Sequence, residues 1–402
     1  MNHQLIFKEQ LAKYLATETT NMTLFWKGRV GLYGMLKTLG IGPGDEVIIP
    51  AFTCIVVPNA VLYLGAKPVY VDIDPQTYNI DIAKIEAKVT TKTKAILAQN
   101  TYGLSSDVDG IKAIAQKYQL MIIEDCTHGF GGTYKGKLNG KNVDAAFYSS
   151  QWNKMFSTGI GGFVICSNPE MAQSMLAFEQ EVMAPSSKEQ LILRAQLLIR
   201  DWIGYSKIYW LAIKFYRFLA ANNIGLGSSS GDELTGIEIP KDYLKGFSAV
   251  QAKRALYELE RLPQNIKHRQ KVAAYYDQKL GELGHAAPFQ PDYAMHTFTK
   301  YPLLVKDRDF IFAEAEKADL PIHDWFISPL HPVQENLELW HFDENQFPVA
   351  GAIARHVINL PTDFSVNEKL MTKVGRFLAQ HQSQLLSADA LLDTYQTPNA
   401  IA

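Results

Sequence analysis

The stretch from Glu124 to Gly162, EDCTHGFGGTYKGKLNGKNVDAAFYSSQWNKMFSTGIGG, gathers an acid, an imidazole, paired serines, an amine and many glycines. It begins as the apolar run LMIIED (120–125) ends, contains DAAFYSS (144–150), and closes where GGFVICS (161–167) begins. These runs are short and continuously apolar, with no polar alternation. That is the pattern of strands covered on both faces, as in parallel sheets. Upstream, EVIIPAF (46–52), KPVYVDID (67–74) and KAILAQN (94–100) repeat the texture, separated by helix-length amphipathic segments. Strands spaced by helices call for crossover connections, so the first half reads as α/β with a mostly parallel sheet. GIGPGDEV and DPQTYNIDIAKIEAKV supply the turns between its units.

After Ile239 the texture changes. SAVQAKRALYELERLPQNIKHRQKVAAYYDQKLGEL (248–283) has helical periodicity, which Pro263 is expected to interrupt because proline removes a backbone donor. TKYPLLV and HVINLP then mark strands of a smaller α+β unit. We expect a large domain over 1–240, containing an amphipathic insertion at 190–227, and a small C-terminal domain over 241–402.

Bulk properties agree with two units, since single cores stop growing at roughly 250–300 residues and this chain has 402, 47% of them hydrophobic. Lysine and arginine number 39 against 41 acids. A net charge of −2 provides no long-range field for nucleic acid. The three cysteines, Cys54, Cys126 and Cys166, fit neither a disulfide framework nor a zinc spacing, and no metal site is expected. The N-terminus lacks a secretory pattern, so a cytoplasmic protein is expected.

Ligands of open parallel sheets gather at the carboxyl ends of the strands. Asp125 and Ser149 end two of the runs, and Lys154 follows Ser149 by five positions in a loop closing on Gly159, Gly161 and Gly162. Alone, Lys154 is a solvated surface amine and Asp125 a helix cap. Together they are what pyridoxal phosphate requires: a lysine for a Schiff base and a carboxylate to keep the pyridine nitrogen protonated. Ser149 and the helix start near Gly28 suit the phosphate, because free N–H groups and the helix dipole favour an anion.

KGRVGLYGMLKTLGIGPGDEVIIPAFTCIVVPNAVLYLGAKPVYVDID, TYGLSSDVDGIKAIAQKYQLMIIEDCTHGFGG and FYSSQWNKMFSTGIGGFVICSN resemble successive blocks of the DegT/DnrJ/EryC1/StrS aminotransferases. SAVQAKRALYELERLPQNIKHRQKVAAYY and VINLPTDFSVNEKLMTKV resemble that family's C-terminal pattern. The resemblance implies fold type I, pyridoxal 5'-phosphate, and an amino group moved from a donor such as glutamate to a carbonyl acceptor. It also implies a homodimer with shared active sites. It makes Lys154 the Schiff-base lysine and general base, Asp125 the pyridinium partner and His128 the contact to the ring hydroxyl. Ser149, with the backbone of Gly28 and Arg29, takes the phosphate.

Two positions depart from the pattern. Cys54 stands where the family places a stacking aromatic, leaving His128 or Phe52 for that role, and YLKGFSAVQ lacks the asparagine that reaches the neighbouring subunit's phosphate. Lys245 is the candidate replacement, as a point charge. His323, Trp325 and His331 in PIHDWFISPLHP are candidates for the acceptor side. The family's sugar dehydratases carry histidine at the lysine position, so Lys154 argues against that reaction. No DNA-binding extension suggests a regulator, and KGRVGLYG does not have the dinucleotide-binding Gly-x-Gly-x-x-Gly spacing.

The segment 191–227 contains Arg194, Arg200, Lys207, Lys214 and Arg217 but one acid, Asp201. Arg200, Lys207 and Lys214 form a stripe at helical spacing, with Trp202, Tyr209 and Trp210 among the residues around it. Charges recur too often for a membrane span. A basic stripe, a broad apolar face and boundary aromatics describe a helix lying in a membrane surface. On that reading Arg200, Trp202, Lys207, Tyr209, Trp210, Lys214 and Arg217 are membrane contacts, the protein is peripheral on the inner face of the cytoplasmic membrane, and the acceptor is amphiphilic or lipid-linked. The alternative is a packing or dimer-contact helix in a soluble nucleotide-sugar aminotransferase.

Overall fold

A computed structural model describes residues 2–203 and 231–396. In the first part, α1 (His3–Tyr14), β1 (Met22–Phe25), α2 (Gly28–Thr38), β2 (Glu46–Pro50), β3 (Thr53–Cys54), α3 (Val56–Leu62) and β4 (Lys67–Val71) come first. There follow α4 (Ile82–Ile85), β5 (Thr93–Gln99), α5 (Val108–Tyr118), β6 (Met121–Asp125), β7 (Thr133–Tyr134), β8 (Lys137–Leu138), β9 (Ala145–Ser149), β10 (Gly162–Cys166), α6 (Pro169–Glu181) and α7 (Ser187–Ile203). The second part holds α8 (Gly231–Thr235), α9 (Ala249–Glu282), β11 (Ala294–Met295), β12 (Tyr301–Val305), α10 (Arg308–Lys317) and β13 (Leu330–His331). It ends with α11 (Pro348–His356), β14 (Val357–Leu360), α12 (Glu368–Gln380), β15 (Leu385–Leu386) and α13 (Ala388–Gln396).

Seven strands form the main sheet in the order β1-β10-β9-β6-β5-β2-β4. The five from β9 to β4 are parallel; β10 runs opposite to them, and β1 at the edge pairs antiparallel with β10. All six apolar runs of the first half are strands of this sheet; β1 (MTLF) was not expected. The continuous runs have a simple origin in the two covered faces. On β5, Ala95 and Leu97 join the core with α2, α3 and α6, while Ile96 and Ala98 join the core with α1, α5 and the start of α9. Successive side chains point to opposite faces, so a strand buried on both must be apolar throughout.

The helix α9 runs unbroken from Ala249 to Glu282, with Pro263 inside it, and so corrects the expected interruption. Its start is set by a capping box, Ser248 with Gln251. Ala252, Leu259, Leu262 and Ile266 pack into the large core; Val272, Tyr276 and Leu280 pack into a second core over the antiparallel sheet β14-β12-β15. Burial at both ends outweighs the roughly 3 kcal/mol that an internal proline costs a helix. Near the cavity, β13 pairs in parallel with β3, setting His331 beside Cys54.

Candidate active site

The parallel strands bring their carboxyl ends to one cavity of about 430 Å³, lined by Gln99 from β5, Asp125 from β6 and Ser149 from β9. Lys154, in the loop joining β9 to β10, faces the same space. Burial pulls its amine down to about 8, with the Asp125 and Cys54 side chains pulling the other way and Arg29 assisting. Its Nζ stands 4.6 Å from the centroid of the Trp325 indole. Asp125 is buried, which raises its carboxyl above the usual range, while the Thr127 contacts and the Lys154 charge oppose the rise. Its Oδ1 accepts from the Thr127 N–H at 2.9 Å.

His128 lines the cavity and lies nearly parallel to Trp325, centroids 5.0 Å apart at 16°. Its Nδ1 accepts from the Tyr102 N–H at 3.2 Å, which leaves the proton of the neutral ring on Nε2. Burial, with Lys154 and Lys300 nearby, drives its pKa far below the ordinary histidine value, so the ring is neutral. Phe52 is fully buried between Tyr102 and Phe326, and it is His128 of the two stacking candidates that reaches the cavity.

The first turn of α2 meets the sheet where only glycine fits. A Cβ on Gly28 would come 2.7 Å from the Tyr148 carbonyl oxygen, and one on Gly162 would come 2.2 Å from the Gly28 Cα. No side chain caps the start of α2, which opens beside Ser149 in the cavity wall. Arg29 turns its guanidinium onto the buried carboxylate of Glu233, whose other oxygen is 3.6 Å from Lys27 Nζ. Asn59 ties the same segment through the Glu233 carbonyl at 2.8 Å. Gly231, Leu234 and Thr235 of α8 therefore form part of the cavity wall.

Of the remaining expected residues, Cys54, Trp325 and His331 line the cavity, whereas His323 and Lys245 do not. Lys245 is engaged by Glu189 at 2.7 Å and Asp242 at 3.5 Å within its own chain. Arg200, expected to face a membrane, donates to Ser157 Oγ at 2.7 Å. The side chain of Trp202 and all of Lys207, Tyr209, Trp210, Lys214 and Arg217 lie outside the described residues. Sequence reading missed Gln99, Trp152 and Glu233. Gln99 ends an apolar run just as Asp125 does, and the same rim rule would have found it. Nothing local marks Glu233, which meets Arg29 only through folding. Among the described residues no group of three or more histidine, cysteine or acidic side chains could hold a metal, and no helix is long and apolar enough to cross a membrane.

The model of the DegT/DnrJ/EryC1/StrS aminotransferase family matches residues 2–206 and 245–379. A UDP-N-acetyl-3-dehydro-alpha-D-glucosamine 3-aminotransferase of Acidithiobacillus ferrooxidans is 44% identical over 341 residues, 85% of this chain and 78% of that protein. A GDP-perosamine synthase of Caulobacter vibrioides is 30% identical over 361 residues, 88% of this chain and 83% of its own. Among solved structures, a DegT DnrJ EryC1 StrS aminotransferase from Brucella abortus shares the fold with a TM-score of 0.73 at 22% identity, covering 95% of this chain and 91% of that one. The family match runs through both parts of the molecule, including the strands that carry Asp125, Ser149 and the Lys154 loop, and the chain belongs to the DegT/DnrJ/EryC1/StrS aminotransferase family.

Proposed function

We propose that this pyridoxal-phosphate-dependent aminotransferase uses Lys154 and Asp125 to move an amino group from glutamate to the carbonyl of a nucleotide-linked keto-sugar. The observation that carries the reading is the meeting of Lys154 and Asp125 in one cavity, with the amine drawn down to about 8. The cofactor fits the residues present: an amine, a buried carboxylate, an uncapped helix start beside a serine, and the buried indole Nε1 of Trp152, which has no hydrogen-bond partner. When bound, pyridoxal phosphate supplies an aldehyde that exchanges amines and a ring that accepts electrons.

The chain's own groups do the rest. Lys154 would hold the cofactor, and its Nζ, close to half neutral near pH 8, can take a proton from the donor's α-carbon and return it. Asp125 would keep a ring nitrogen protonated, and the neutral His128 would donate Nε2–H to a ring hydroxyl oxygen. Ser149 and the first N–H groups of α2 would take the phosphate, with Arg29 alongside. Cys54 and His331, paired across β3 and β13, would line the acceptor side with Trp325. The relatives support the acceptor class, since one is named for a UDP-linked 3-dehydro sugar and another for GDP-perosamine.

Lys154→Ala should lose turnover of glutamate with UDP- or GDP-linked keto-sugars and the visible absorbance of the bound cofactor; a variant that kept the band would refute the assignment. The homodimer with shared sites belongs to the same proposal. A second reading, attachment to a membrane surface by 190–227, has one observation in its favour. Leu191, Leu198 and Ile199 of α7 are 67%, 64% and 54% exposed, a greasy face at helical spacing.

A further inference from the structure

The loop that carries Lys154 is held at its base from within and at its tip from outside. At the base, Ser150 N–H donates to the Gly161 carbonyl at 2.9 Å and Thr158 N–H to the Ser150 carbonyl at 2.8 Å. At the tip, Asn265 Nδ2 of α9 donates to the Met155 carbonyl at 2.7 Å. The third hold comes from α7. Arg200 donates to Ser157 Oγ at 2.7 Å, and its guanidinium carbon stands 5.8 Å from the centroid of the Trp152 indole. Leu193 and Leu197 of the same helix are buried against Trp26 and Ile160, with Trp152 packed on that cluster. The fit leaves no slack: at Gly159, φ +83°, a Cβ would come 2.8 Å from the Trp152 ring and 2.9 Å from Leu193.

Trp152 is both the wall of the cavity and a neighbour of Lys154 in the chain. Its Nε1 is buried and makes no hydrogen bond, so the indole's pose is set by what packs on its faces. A guanidinium suits this place because it can lie over an indole while donating in its own plane. Arg200 donates here to a neutral hydroxyl and lies over a ring, while the charges of Glu258, Asp201 and Asp363 nearby offset part of its desolvation and Arg254 opposes them.

Resting on the aminotransferase reading above, we propose that Arg200 is a positioning residue of the reaction: through Ser157 and Trp152 it clamps the 151–159 loop from behind and thereby sets where Lys154 Nζ stands in the cavity. The helix that opens the aromatic and basic insertion is then mechanically joined to the catalytic amine. Misplacement of a reacting group by about 1 Å can cost about 100-fold in rate, so a loosened clamp is visible in the chemistry.

The test compares full-length wild type, Arg200→Ala, Arg200→Lys and Ser157→Ala, with Leu198→Ala on the exposed face of α7 as control. Each apoprotein is titrated with pyridoxal phosphate, and the visible band of the loaded protein is followed against pH. We expect Arg200→Ala to move the pH midpoint of that band and to lower kcat by about 10- to 100-fold, with the KM for glutamate little changed. Arg200→Lys should recover part of both, and Leu198→Ala should match wild type. Ser157→Ala, which removes the acceptor of Arg200 together with a longer bond from the Gly159 N–H at 3.3 Å, should shift the midpoint in the same direction, and it carries the test if Arg200→Ala does not fold. A wild-type midpoint and kcat in Arg200→Ala or Ser157→Ala, even with a lowered melting temperature, overturns the proposal, because Arg200 is then only packing. A wild-type chain that gives no visible band with pyridoxal phosphate fails the underlying aminotransferase reading instead.

Discussion

A lysine in a polar loop is ordinarily a solvated cation, and Lys154 is not. Burial draws its amine from 10.5 to about 8, because an ammonium loses more hydration than the Asp125 carboxylate returns. The consequence has a definite sign. Between about 8 and 10.5 the folded chain has released a proton that the unfolded chain still binds, so this group adds stability as pH rises through that window. On the proposed reading the neutral amine is also the nucleophile. The rate at which apoprotein captures pyridoxal phosphate should therefore rise with a midpoint near 8, measured by stopped-flow absorbance; a midpoint near 10.5 would show an ordinary exposed lysine. That Lys154, Asp125 and Ser149 share one cavity was legible because each sits at or just past the end of an apolar run. Glu233 was not, because the partner that makes it significant, Arg29, is 204 positions away.

Helices and strands were read well where burial sets their pattern and less well where one residue's propensity opposes its neighbours. Pro263 is the clear case. Its ring disfavours the helix locally, but Leu262 and Ile266 are buried on one core while Val272 and Tyr276 commit the next turns to another. Exposed on the solvent side of α9, Pro263 tolerates replacement. Pro263→Ala restores the N–H that the Leu259 carbonyl lacks and should stabilise the chain by about 1–2 kcal/mol, the helix gain less the entropy that proline removes from the unfolded state. Urea denaturation measures it, and a loss of stability would mean that the helix is bent for a purpose. The strand β1 escaped notice because four residues at an antiparallel edge carry too short a pattern to separate from the segment after α1.

At the scale of the molecule, the α9 helix joins two cores, and the residues 207–244 outside the family match contribute α8 to the cavity wall. The two readings of 190–227 separate here as well. The membrane reading predicts that the full chain pellets with anionic liposomes and that Leu191→Ser, Leu198→Ser and Ile199→Ser together release it. Equal recovery in the supernatant, with both proteins folded, leaves packing or subunit contact as the role of the exposed face. The order of residues was enough to establish a doubly covered parallel sheet, its carboxyl rim and the acid, hydroxyl and amine upon it, since strand burial and rim position are local consequences of side-chain periodicity. Folding decided that Trp325 and His331, but not His323, reach that rim, where β13 pairs with β3; it also turned Arg200 inward to the Lys154 loop and set Glu233 against Arg29. Those contacts join segments far apart in the chain, and their energies come from shape and desolvation in three dimensions, which leave no periodic trace in one.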